Sequence, residues 1–131
     1  MGQQQILLIV LGVIIVGIAV VVGINMFTAT AAQANMDAVI NDLLQLGARA
    51  QQYYVKPISM GGGGNSYANI TIEDLTTKPV NENGTYRVNN SNNNRINIRG
   101  IGKWDGDGNG RNVRVVLRVF ADTSWTIIRQ Q

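Results

Sequence analysis

From Ile6 to Ile24 the chain is an unbroken run of Ile, Leu, Val, Ala and Gly. A helix of these nineteen residues is about 28 Å long, close to the ~30 Å hydrocarbon core of a bilayer. A helix packed on a soluble core keeps one polar face, and this run has none. After Asn25 the pattern changes, although no Pro occurs before Pro57. Met36, Val39, Ile40, Leu43, Leu46, Ala50 and Tyr53 recur at steps of three and four. Asn35, Asp37, Asn41, Asp42, Gln45, Arg49 and Gln52 take the other face. The spacing predicts one helix over about 3–54, roughly 75 Å long, apolar all round at first and amphipathic later. Pro57 and the MGGGG run at 60–64 end it.

Beyond the glycines the period changes from helix-like to two. A loop-rich stretch carries one helical turn near Thr71–Leu75. TYRVNN alternates. RINIRGIG places Ile96, Ile98 and Gly100 on one face and Arg95, Asn97 and Arg99 on the other. VRVVLRVFA places Val113, Val115, Leu117, Val119 and Ala121 opposite Arg114, Val116, Arg118 and Phe120. SWTIIRQ closes the chain, with NSNNN, WDGDGNG and ADTS as turns. The expected fold class is α+β, a long helix whose C-terminal half packs on a four-stranded antiparallel sheet. The expected organisation is an apolar helix half at 1–28, of membrane-anchor length, and an amphipathic half at 29–56. A glycine-rich loop region follows at 57–84 and the sheet at 85–131. Residues 29–131 together form one globular domain.

Composition sharpens this division. The mean hydropathy of +0.02 conceals it, because residues 1–36 carry no charged side chain. The whole chain of 131 residues has a net charge of only +3, too mild to argue for a nucleic-acid partner. It contains neither Cys nor His. That removes disulfides, thiol and Ser-His-Asp catalysis, and the commonest transition-metal ligand. No paired carboxylates stand in a cleft-like context, so an enzyme is not expected.

Three smaller signals remain. Asp105, Asp107 and Asn109 alternate ahead of Gly110, like the opening of a calcium loop. The twelfth position of such a loop is Val116 where a Glu is needed, so a plain glycine-rich turn is the favoured alternative. No cofactor is expected, with calcium at this loop as the alternative. Asn69, Asn83 and Asn89 each begin an N-glycosylation pattern, in a chain so rich in Asn that chance matches are expected. Arg95, Arg99, Arg114 and Arg118 share the outer faces of neighbouring strands. Such charges usually make a solvated face that blocks sheet aggregation. They would also suit DNA or an acidic polysaccharide, but aromatics are not interleaved as on nucleic-acid platforms. Val116 and Phe120 there hint at subunit contacts.

A long N-terminal helix, apolar then amphipathic, followed by a glycine-rich loop and a small antiparallel sheet, resembles the type IV pilin superfamily, which includes pseudopilins and archaeal pilins. The sequence likeness rests on residues 1–54, above all MGQQQILLIVLGVIIVGIAV. The resemblance implies a membrane precursor, cleavage by a prepilin peptidase after a Gly, and polymerisation into a helical filament. Gly2 then matches the cleavage glycine and Gln3 the first mature residue. Alternatively Met1 starts the mature chain, with a leader outside this sequence. The family's acidic residue at the fifth mature position is replaced by Leu7 or, on the second numbering, Gln5. The implied filament core is Ile6, Leu7, Leu8, Ile9, Leu11, Ile14, Ile15, Ile18, Val21 and Val22. The implied partners are copies of the chain, assembly machinery in the membrane, and the membrane itself before assembly. The implied location is the cell surface. A pseudopilin of a secretion system and a membrane-anchored binding module that never polymerises are the alternatives.

Gly12, Gly17 and Gly23 interrupt the run, each costing about 1 kcal/mol against Ala in a helix interior. They suit close helix packing in lipid or local loosening of the helix. Gln3, Gln4 and Gln5 bring donors and acceptors to a helix start whose first four N–H groups lack partners. Headgroup contact is their simpler role. Their fuller role is to cap neighbouring helices without adding charge. A free amino terminus in an apolar core is costly, so methylation, or pyroglutamate closure at Gln3, is expected, and intact mass decides it.

Overall fold

The computed structural model describes residues 2–106, 108–122 and 125–130. Helix α1 spans Gly2–Val55 without a break. A 3-10 turn, Ile58–Met60, and the short helix α2, Ile72–Leu75, follow. Four strands complete the chain: β1 (Gly84–Ser91), β2 (Arg95–Gly102), β3 (Arg114–Phe120) and β4 (Trp125–Gln130). They form one antiparallel meander in the order β1-β2-β3-β4. The α+β arrangement expected from the sequence is the one observed.

The glycine run does more than stop the helix. The last carbonyls of α1 need donors. The Gly63 N–H donates to Tyr53 O (2.8 Å), Asn65 N–H to Tyr54 O (2.7 Å) and Gly64 N–H to Lys56 O (3.0 Å). The loop folds back over the helix end so tightly that a Cβ on Gly63 would meet the Ser66 carbonyl.

Only the second half of α1 meets the sheet. Ala32, Met36, Val39, Leu43, Leu46, Gly47 and Ala50 are its buried residues. They face the inward row of the central strands, where Ile96, Ile98, Val115, Leu117 and Val119 are fully buried. Tyr67, Ile70 and Leu75 from the loop region close the core. Two glycines set the separation of the layers. A Cβ on Gly100 would lie 2.6 Å from Val39 Cγ1, and one on Gly47 would lie 2.8 Å from Leu117 Cδ2. Helix and sheet approach as closely as a missing methyl allows.

Candidate functional site

Among the described residues the apolar front of α1 has nothing to pack against. Every residue from Gly2 to Thr30 is exposed, and the first buried side chain is Ala32. At ~1.5 Å per residue this free rod is about 45 Å long. Ile6, Leu7, Leu8, Ile9, Leu11, Ile14, Ile15, Ile18, Val21 and Val22 all project from it, with Ile14 53% and Leu8 68% accessible. The helix is long and apolar enough to cross a membrane. Its apolar surface runs past Ile24 to Met26 and Phe27. Two hydroxyls follow, and both turn inward: Thr28 Oγ1 donates to Ile24 O (3.0 Å) and Thr30 Oγ1 to Met26 O (2.9 Å). This back-bonding satisfies the hydroxyls without an outside partner, so the rod presents methyl groups there too.

Gly2, Gln3, Gln4 and Gln5 form the exposed first turn, and Met1 lies outside the described residues. Gly12, Gly17 and Gly23 have no atom within 4 Å of where a Cβ would stand. Nothing among the described residues requires their smallness.

A polar cluster that the sequence reading missed locks the packed half of α1 to the sheet and its flanking loops. Asp42 Oδ2 on α1 accepts from the Tyr86 hydroxyl (2.5 Å), Asn81 Nδ2 (2.9 Å) and Asn83 Nδ2 (2.9 Å). Burial pushes the carboxyl up, but these three hydrogen bonds outweigh it and hold Asp42 below its ordinary value. Burial, followed by the Asp42 charge, pushes the Tyr86 phenol far above its ordinary range. Two turns earlier, Asn35 Nδ2 donates to Asn83 O (2.8 Å) while its Oδ1 accepts from Lys103 N–H (2.8 Å). Asn35 and Asp42 are seven residues apart, on one line along the border of the apolar stripe. That placement was the available signal.

The remaining candidates are scattered. Asp105 Oδ1 accepts from Gly108 N–H (2.9 Å) and Oδ2 from Gly110 N–H (2.6 Å), while Asn109 Oδ1 accepts from Arg111 N–H (2.8 Å). These bonds close a turn. Asp107, the middle residue of the suggested calcium set, lies outside the described residues. Among the described residues no group of three acidic, His or Cys side chains is placed to hold a metal. Asn69 is exposed with a positive φ of 64°. Asn89 is exposed at the β-bulge of β1. Asn83 is half-buried, and its Nδ2, the atom a glycan would occupy, is engaged with Asp42.

Fold and surface together define a small two-layer α+β domain carried on a bare apolar rod. No protein-family model matches the chain, nor does any curated protein or solved structure.

Proposed function

We propose that this chain is the structural subunit of an extracellular type IV pilus-like filament, polymerising through the front of α1 and serving adhesion, motility or surface contact. The observation that carries the reading is the contrast within one helix. From Ala32 onward one face of it is packed into the core, whereas Gly2 to Thr30 are exposed on every side. Burying nineteen mostly aliphatic residues is worth roughly 20–45 kcal/mol relative to water, as an upper bound. The rod therefore resides either in lipid or among other helices. Lipid tails are about as apolar as Leu, so transfer from membrane to bundle gains little from hydrophobicity itself. Packing and an assembly machine supply the difference, and release into water is then strongly opposed. Identical subunits related by a rotation that does not close form an open helical polymer.

The absence of charge from residues 1–36 fits both stages, the membrane precursor and the polymer core. Electron microscopy of sheared cell-surface material tests the reading. Filaments containing this single chain are expected. Dispersed chains that stay lodged in bilayer would overturn it in favour of a membrane-anchored module.

A further inference from the structure

The four strands carry six arginines and not one carboxylate. Five of them share the outer face of the sheet, away from α1. The register places Arg114 opposite Ile101, Arg99 opposite Val116, Arg118 opposite Asn97, and Arg95 opposite Phe120. Each successive row along the β2–β3 seam thus contributes one arginine, alternately from β3 and β2. Arg114, Arg99, Arg118 and Arg95 form a zigzag of diagonal neighbours, about 7–8 Å apart at the backbone. Arg87 stands directly opposite Arg99 and borders a cavity that Glu73 also lines.

A solvated face does not account for this arrangement. Arg87 and Arg99 are like charges directly opposite one another, which destabilises a sheet. The seam lies between the two central strands, where no edge needs a charge to block pairing, and Lys56, Lys78 and Lys103 all lie outside the strands. The four seam arginines are only partly exposed. Asn97, though on the outer face, is 8% accessible and accepts from Arg118 Nε (3.2 Å). The Nε atoms of Arg99 and Arg114 are fully covered and have no hydrogen-bond partner. The cations are packed across the sheet, and with Nε covered on Arg99 and Arg114 only the outer ends of these two guanidinium groups can meet a ligand.

We propose that this zigzag binds a linear acidic polysaccharide, with successive guanidinium forks receiving its carboxylate or sulfate groups. A planar fork matches such groups in two parallel hydrogen bonds, which an ammonium does not. Val116 and Phe120 supply apolar surface between the cations for the C–H faces of sugar rings. A nucleic-acid strand fits less well, because Phe120 is the single aromatic side chain on the seam and successive bases need successive stacking partners. The site belongs to each subunit and does not depend on polymerisation, but a polymer would multiply it by avidity.

The test uses the full chain in a neutral detergent, titrated with polygalacturonate, with neutral dextran and with a single-stranded oligonucleotide. Polygalacturonate is expected to bind with an affinity that falls as salt rises, and dextran not at all. R99Q/R118Q should weaken polygalacturonate binding about tenfold or more, and R99K/R118K should weaken it several-fold although the charge is kept. K56Q/K78Q removes the same charge elsewhere and should leave binding within about twofold. Melting temperature reports that each variant is folded. Absence of polygalacturonate binding, equal weakening by K56Q/K78Q, full retention in R99Q/R118Q, or tighter binding of the oligonucleotide would each overturn the proposal. A change in the sedimentation of R99Q/R118Q alone would overturn it too, assigning the face to contacts between copies.

Discussion

The Tyr86 hydroxyl donates to the Asp42 carboxylate, and this bond joins β1 to α1 across 44 positions of sequence. Asn81 and Asn83 complete the carboxylate's shell. A hydrogen bond to a charged group contributes about 1.5–3 kcal/mol, reduced where water reaches the charge. Tyr86→Phe keeps the buried ring and removes only the donor. It should destabilise the domain by about 1–2 kcal/mol, lowering the melting temperature by roughly 5–15 °C. Thermal melts by circular dichroism check this, and an unchanged melt would show that the bond contributes nothing net.

The same pair fixes the direction of two pH limbs. Asp42 titrates lower in the folded chain than its ordinary 3.8. Its contribution is complete above that value and is lost as pH falls through the depressed one. Tyr86 titrates above its ordinary 10.0. Its contribution is complete below 10.0 and is lost as pH rises from there towards its folded value. Denaturant midpoints measured across pH should show both limbs. Asp42→Asn should flatten the acid limb relative to the parent chain, and an unaltered acid slope would place the proton-linked stability elsewhere.

At the helix–sheet contact a single methyl is decisive. A Cβ on Gly100 would stand 2.6 Å from Val39 Cγ1 and 3.1 Å from the Tyr86 ring, and both side chains are buried. Gly100→Ala should therefore cost about 1–3 kcal/mol through overpacking, despite the better strand propensity of Ala. Guanidinium denaturation measures it. A neutral result would mean that the layers can separate freely.

Much of this architecture was legible in the chain. The RINIRGIG segment matches β2, because alternation over a half-buried strand leaves one register that hides Ile96 and Ile98. The stripe from Met36 to Ala50 specified the packed face of α1 for the same reason, at the helical period. Asp42 and Asn35 were not legible as anchors. Their partners, Tyr86, Asn83 and Lys103, come from distant segments, and hydrogen bonding between segments leaves no periodic trace. The glycine run was read as a stop signal; its donors to Tyr53, Tyr54 and Lys56 follow from a backbone path that composition does not encode. The alternation puts the arginines on the outer face, but their diagonal succession depends on the β2–β3 register.

Because no described residue before Ala31 is even partly buried, the domain should not need the rod. A fragment of residues 29–131 is expected to be a soluble monomer melting at the temperature of the full chain's domain. Sedimentation and calorimetry check it. Aggregation or loss of the transition would mean that the exposed front contributes to the core after all.

The helix glycines separate what one chain needs from what an assembly needs. In the isolated chain Gly12, Gly17 and Gly23 have free space where a methyl would stand. Replacing one with Ala should favour the helix by about 1 kcal/mol and leave the folded domain untouched. In a polymer of closely packed rods the same methyl would fall at a contact between backbones, where small residues permit the approach. Gly12→Ala and Gly17→Ala subunits should therefore accumulate normally in the membrane while filament yield falls. Quantifying sheared filaments against membrane-bound subunit reads both quantities at once. Normal filament yield from both variants would remove the glycines from the proposed interface and leave the aliphatic surface to carry assembly alone.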